Sequence, residues 1–203
     1  SKIANIKFSN NCNREIIPLE NMTDWIIDDE KIYHKDDNYF SIIPLDITIS
    51  NREVLCWSQP ILRPSCSGYC IFIVKKINNV MHFLSQIKFE CGNLDFFEIG
   101  PSVQCLQSNL KDLDNFFIEI IYDIQNESLY KIHHDSFQSE EGGRFLNDSN
   151  RNIIVELISD NQNYNDDNFL WLTLCQLKGM LKFSNVVNIQ ARNLISLIKP
   201  FDN

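Results

Sequence analysis

An α+β domain is the fold class this sequence predicts, from three observations. Alternating apolar strands run from Tyr69 to about Glu90, further strand-like stretches occupy 115–125 and 153–158, and helical spacing of apolar residues is confined to the C-terminal end. Strands first and helices last make a mixed or antiparallel sheet flanked by terminal helices.

The first forty residues are polar and acidic around Trp25 and Ile32-Tyr33-His34, and Tyr39 to Ile43 has strand-like content before Pro44. Residues 1–45 are therefore expected to form an N-terminal arm or small subdomain packed on the rest of a single 203-residue domain. YCIFIVKK from Tyr69 and VMHFLSQIKFE from Val80 flank the turn signal Asn78-Asn79, as a hairpin or two adjacent strands. In the second strand, period-2 geometry puts Met81, Phe83, Ser85, Ile87 and Phe89 on an apolar face. His82, Leu84, Gln86, Lys88 and Glu90 fall on the other, with Gln86, Lys88 and Glu90 spaced about 7 Å apart. That polar face reads equally as a solvated strand surface with a Lys–Glu pair.

NFFIEIIYDIQ (115–125) and Ile153–Ile158 are read as strands. Asp166-Asp167-Asn168 reads as a helix cap, with Leu170, Leu174, Leu177 and Leu181 at helical spacing behind it and Trp171 and Cys175 widening the stripe. A second helix is expected from about Val186, with Val187, Ala191, Leu194, Ile195 and Ile198 on one face, ending at Pro200.

A 44% apolar content with 14 Phe supplies a real core. The net charge of −9 argues against nucleic-acid or membrane-surface binding, because both partners are polyanions. Seven cysteines at irregular spacings, with no Cys-x-x-Cys pair, read as reduced small hydrophobes, and no metal-ligand array is expected. With no signal pattern and no membrane-length apolar run, a cytoplasmic, soluble protein is expected. No P-loop, GxGxxG, GxSxG or HExxH occurs.

The densest polar chemistry is QSEEGGRF (138–145), followed by Asn150-Arg151-Asn152. Gly142 and Gly143 allow positive φ or close approach to a ligand, and Arg144 and Arg151 suit bidentate binding of a phosphate or carboxylate. A solvated acidic turn with structural arginines accounts for the same residues.

With Trp57-Ser58-Gln59-Pro60, Gln86-x-Lys88-x-Glu90-x-Gly92, Pro101-Ser102-Val103-Gln104, Ser108-Asn109, Trp171-Leu172-Thr173-Leu174-x-Gln176, Asn188 and Arg192, these segments resemble one module of the NDP-hexose 2,3-dehydratases. Trp25, His34 and Tyr39-Phe40 extend the resemblance toward the N-terminus. It implies a Nudix-like mixed sheet flanked by helices and a dTDP-linked 4-keto-6-deoxyhexose as ligand. The implied reaction removes the C2 hydroxyl without a cofactor, and a downstream 3-ketoreductase would take the product. The hydrolytic Nudix box is absent; Glu140-Glu141-Gly142 only echoes it, so metal-dependent pyrophosphate cleavage is not expected.

In that reading Glu141 is the favoured base, Glu90 or Glu140 the alternative, Lys88 the oxyanion donor or general acid, and His34 an outside candidate for the acid. Arg144, Arg151 and Arg192 would clamp the diphosphate, and Trp57 with Gln59, or Gln104 with Asn109, would hold thymine. Gln86, Gln138, Ser139, Gly142, Gly143 and Asn152 complete the expected substrate-binding set. Members of the family carry two such modules in tandem, so a homodimer is expected to supply the second copy. A non-catalytic dTDP-sugar-binding subunit is the alternative, and the presence of Lys88, Glu90, Glu140 and Glu141 favours catalysis.

Overall fold

The computed structural model describes residues 2–9, 12–36, 38–93, 96–140, 143–159 and 164–198. Its elements, in chain order, are α1 (Lys2–Ser9), β1 (Trp25–Ile27), β2 (Ile32–His34), β3 (Phe40–Thr48), β4 (Cys56–Pro64), β5 (Gly68–Ile77), β6 (Val80–Phe89), β7 (Phe97–Gly100), β8 (Val103–Leu106), α2 (Asn115–Asp123), β9 (Tyr130–Ser139), β10 (Ser149–Leu157), β11 (Phe169–Thr173), α3 (Leu174–Met180) and α4 (Ile189–Ser196). They build a four-stranded antiparallel sheet, β1-β2-β3-β4, and a seven-stranded mixed sheet in which five strands are ordered β11-β6-β5-β10-β9, β7 pairs with β6 and β8 pairs with β5. In the larger sheet β10 runs parallel to β5, and every other pairing is antiparallel. The class is α+β. Among the described residues no helix is long and apolar enough to cross a membrane, and all seven cysteines are free.

The β5–β6 hairpin forms as its turn residues require: Asn78 and Asn79 take φ of 51° and 62°, the left-handed pair of a two-residue turn that asparagine tolerates. Beyond Ile73 and Leu84 the two strands part. β7 then pairs with the far half of β6, and β8 with the near half of β5, filling the fork. Ser102 closes its apex: the buried hydroxyl donates to Leu84 O at 2.5 Å and accepts from Ile73 N at 2.8 Å, satisfying two ladder groups the split would orphan.

Strand alternation sends Cys70, Phe72 and Val74 into one core with Phe83, Ile99, Leu177 and Leu194, and Ile71 and Ile73 into a second with Ile120, Ile153 and Val155. β6 accordingly differs from the expectation of one apolar and one polar face. Leu84 is fully buried in the second core, so the sheet is covered on both sides there.

Further expectations are corrected. Residues 115–125 are read above as a strand but form α2. Asp114 caps it by accepting from Phe116 N at 2.8 Å, and Phe117, Ile120, Ile121 and Ile124 fall at helical spacing onto the second core. The helix expected behind Asp166 starts later, because Phe169–Thr173 satisfies the open edge of β6 as β11. Leu170 and Leu172 face one core and Trp171 the other, the period of a strand. α3 begins only at the capping box of Thr173 and Gln176. Helices are also not confined to the C-terminus: α1 places Ile3 and Ile6 on the first core, and the smaller sheet extends through β4 to Pro64, past the arm expected over 1–45.

Candidate acid–base cleft between the two sheets

The QSEEGGRF segment leaves the end of β9, and its second half is stitched to the smaller sheet. Leu62 N donates to Arg144 O at 2.8 Å, Leu146 N to Leu62 O at 2.7 Å, and Gln59 Nε2 to Gly143 O at 3.0 Å. Gly143 has φ +63°, a conformation glycine adopts without steric cost. The crossing leaves a cleft of two adjoining cavities, which share Gln104, Leu106, Phe145 and Asp148. The larger, about 690 Å³, is lined by the aromatic side chains of Trp25, Tyr39 and Phe40 and by Glu90. The smaller, about 280 Å³, adds Glu140, Asn150, Cys70 and Gln190.

Glu140 is held by its backbone and its carboxylate. Its N–H donates to Asp148 O at 3.0 Å, continuing the Ser139–Ser149 register. Its Oε1 accepts from Asn150 Nδ2 at 2.9 Å, and Asn150 Oδ1 in turn accepts from Gly68 N at 2.7 Å. Position 68 has no room for a side chain: a Cβ would lie 2.7 Å from both Asn150 Oδ1 and Cys105 O. Glycine there lets β5 approach Asn150, and Asn150 aims Glu140.

Burial, and then the Glu140 charge, raise the Asp148 carboxyl from its ordinary pKa. Burial pushes the Cys70 thiol up to about 12 and the Cys105 thiol up to about 11, so both are protonated near neutral pH and poor nucleophiles.

The second set of cleft groups hangs on α4. Asn188 caps that helix, with Oδ1 accepting from Ala191 N at 2.8 Å, while its Nδ2 donates to Gln104 Oε1 at 2.8 Å and Glu98 Oε1 at 3.1 Å. The orientation of Gln104 is thereby set. Lys88 passes over Gly100, where a Cβ would lie 3.2 Å from its Cδ, and its Nζ pairs with Glu90 Oε1 at 3.2 Å.

Of the residues singled out in the sequence, the cleft brings together Glu90, Gln104 and Glu140, with Lys88 joined through Glu90. His34 packs against two of the aromatic residues: its ring centroid lies 5.7 Å from that of Trp25 and 5.1 Å from that of Tyr39, and it is not among the residues lining either cavity. Trp57 Nε1 donates to Gln59 Oε1 at 2.8 Å, so that pair tethers the Gly143 strap. Gln86 is paired between β11 and β7, and Asn109 accepts from Ser108 in a short 3-10 helix. Gln138 accepts from Asn193 of α4 at 2.7 Å, while Ser139 and Arg144 are exposed.

Arg151 points to the opposite face of β10 from Asn150 and is bidentate to Asp135 at 2.8 and 2.6 Å; it is not among the residues lining either cavity. Asn152 is buried, donating to Asn150 O at 2.9 Å, and Arg192 Nε donates to Asn188 O at 3.4 Å. Glu141 and Gly142 lie outside the described residues.

The sequence alone does not point to Asp148; Asn150 and Phe145 lie in the stretch it singles out but carry no individual role there, and Trp25, Tyr39 and Phe40 enter only with the resemblance. The signal for Asp148 is the hairpin register: once Ser139 opposes Ser149, Asp148 must oppose Glu140.

Neighbouring carboxyls, Glu140 and Asp148, in a cleft whose larger cavity carries Trp25, Tyr39 and Phe40 make this a candidate acid–base site. Residues 1–198 match the sequence model described as NDP-hexose 2,3-dehydratase. The chain belongs to that family. It is 34% identical over 181 residues to a dTDP-4-dehydro-6-deoxy-alpha-D-glucopyranose 2,3-dehydratase from Saccharopolyspora spinosa, covering 89% of this chain and 37% of that protein. To the protein of the same description from Streptomyces violaceoruber it is 33% identical over 190 residues, covering 92% and 42%. The chain thus spans about two fifths of the length of these relatives. Among solved structures it is similar to an ADP compounds hydrolase, at 13% identity and a TM-score of 0.44, covering 78% of this chain and 83% of that one. At that distance the likeness decides nothing about ligand or reaction.

Proposed function

We propose that the chain takes part in the 2,3-dehydration of a dTDP-linked 4-keto-6-deoxyhexose, and that the cleft is where the sugar binds. The observation that carries the reading is the juxtaposition of an aromatic wall with Glu140, Asp148 and Glu90 in one cleft. The C4 ketone acidifies the C3 proton, so a carboxylate base there gives an enolate that expels the C2 hydroxyl as water. The enol then tautomerises to the 3,4-diketo-2,6-dideoxy sugar, and no electrons are exchanged. Glu140, aimed by Asn150, is the described carboxylate best placed as the base. Trp25, Tyr39 and Phe40 offer stacking surface to the nucleobase, and Arg144 on the strap is the exposed cation for the diphosphate.

The test is incubation with dTDP-4-keto-6-deoxyglucose in D₂O, following deuterium entry at the sugar and thymidine diphosphate release from the unstable diketone. Binding without either change would favour a non-catalytic sugar-nucleotide-binding subunit. A cytoplasmic setting and a downstream 3-ketoreductase belong to the same proposal.

A homodimer is a further part of this proposal. Exposed Ile26, Ile27, Val54 and Leu55 on and beside the smaller sheet favour it, since burying them is the usual driving force for association. Sedimentation at micromolar concentration should then give twice the 23.8 kDa chain mass; a monomer would refute the dimer.

A further inference from the structure

Resting on the dehydratase reading above, we infer that Asp148 is the proton donor to the departing C2 hydroxyl, with Glu140 as the base at C3. The two residues oppose each other across the β9–β10 hairpin, joined by the Glu140 N–H to Asp148 O bond of 3.0 Å. Opposed positions project to one face with Cβ atoms about 5 Å apart, and both side chains line the smaller cavity.

Their surroundings are unlike. Asn150 Nδ2 donates to the Glu140 carboxylate at 2.9 Å, and Asn150 is itself anchored on Gly68 N. The Asp148 carboxyl has no hydrogen bond or ion pair among the described residues. It is partly buried beside the Glu140 charge and lines the larger cavity as well. The donor from Asn150 holds Glu140 as an acceptor, and Asp148, which opens on both cavities without such a donor, is the group assigned the proton to give. Burial first, and then the charge on Glu140, raise the Asp148 pKa in agreement with that assignment.

The steps balance. Glu140 takes the C3 proton, the enolate electron pair forms the C2–C3 double bond, and the C2–O bond breaks with its electrons on oxygen. Asp148 protonates that oxygen, which leaves as water. Tautomerisation adds a proton at C2 and releases one from O3. If Glu140 supplies the first and Asp148 takes the second, both carboxyls return to their starting states.

The experiment separates the two half-reactions. Wild-type protein, Asp148→Asn and Glu140→Gln are each incubated with dTDP-4-keto-6-deoxyglucose in D₂O, with C3 exchange and elimination measured separately and thymidine diphosphate affinity as the check on folding. Asp148→Asn should retain C3 exchange within a few-fold while elimination falls by roughly 10²-fold or more. Glu140→Gln should lose both, and Asp148→Glu should recover part of the elimination. If Asp148→Asn does not fold, Asp148→Ser carries the same readout. An Asp148 variant that eliminates at the wild-type rate, or loses exchange as completely as elimination, overturns the assignment while leaving the functional reading intact. A wild-type protein that does neither removes the functional reading and the assignment with it.

Discussion

Glu140→Gln should lower turnover of the 4-keto sugar by roughly 10²-fold or more, the usual contribution of a positioned acid or base, while thymidine diphosphate affinity stays nearly unchanged. The amide preserves the shape of the side chain, and its oxygen can still accept from Asn150 Nδ2, so the site stays assembled. What it loses is the capacity to take a proton. The change therefore belongs in kcat rather than in binding. Single-turnover kinetics with a separate nucleotide titration make the check. Full activity in Glu140→Gln would pass the base role to Glu90, which lines the larger cavity, or to Glu141. If the Gln variants of all three were fully active, the carboxylate mechanism would be wrong.

Phe72→Ala should destabilise the fold by about 3–5 kcal/mol, the range for removing a large side chain from a well-packed core. Phe72 is 0% exposed on β5, and its ring meets Phe83 edge-on with centroids 5.5 Å apart and planes at 82°. The same cluster holds Leu177 of α3 and Ala191 and Leu194 of α4, so the cavity would open beneath the helix that positions Asn188 and Gln190. Net stabilities of domains are about 5–15 kcal/mol, so this loss is a large fraction of the total. Urea unfolding should show a lower midpoint with an unchanged slope. Tyr122→Ala, on the exposed face of α2 with the side chain 77% exposed, should shift the midpoint little. A Phe72→Ala shift as small as that control would mean the core under α4 is loosely packed.

Locally encoded features were legible in advance. Asn78-Asn79 marks a turn because asparagine tolerates positive φ, and the hairpin forms there. The change to helix near the C-terminus was legible too, although Asn188 turns out to cap α4 while also orienting Gln104. The errors have local causes of another kind. Asn115 to Gln125 is so apolar that strand and helix both bury it, and the deciding signal, the Asp114 cap, lies just outside the run. Phe169–Thr173 satisfies a helical stripe equally well, but an open edge of β6 was available to pair with it.

For this protein the sequence by itself determined the α+β class, the β5–β6 hairpin and the concentration of acid, amide and arginine chemistry at 138–152, because turn dihedrals, caps and side-chain period act over a few residues. Tertiary structure alone decided which of those groups meet. Asn150 enters the cleft and Arg151 turns away to Asp135 because neighbouring strand positions must face opposite sides of the sheet, and only the packing of α4 and the smaller sheet says which side is the site. The contacts that aim the chemistry, Gly68 to Asn150 and Asn188 to Gln104, join residues 82 and 84 positions apart. No local preference specifies such pairs; they form only when burial of both cores brings the strands and helices together.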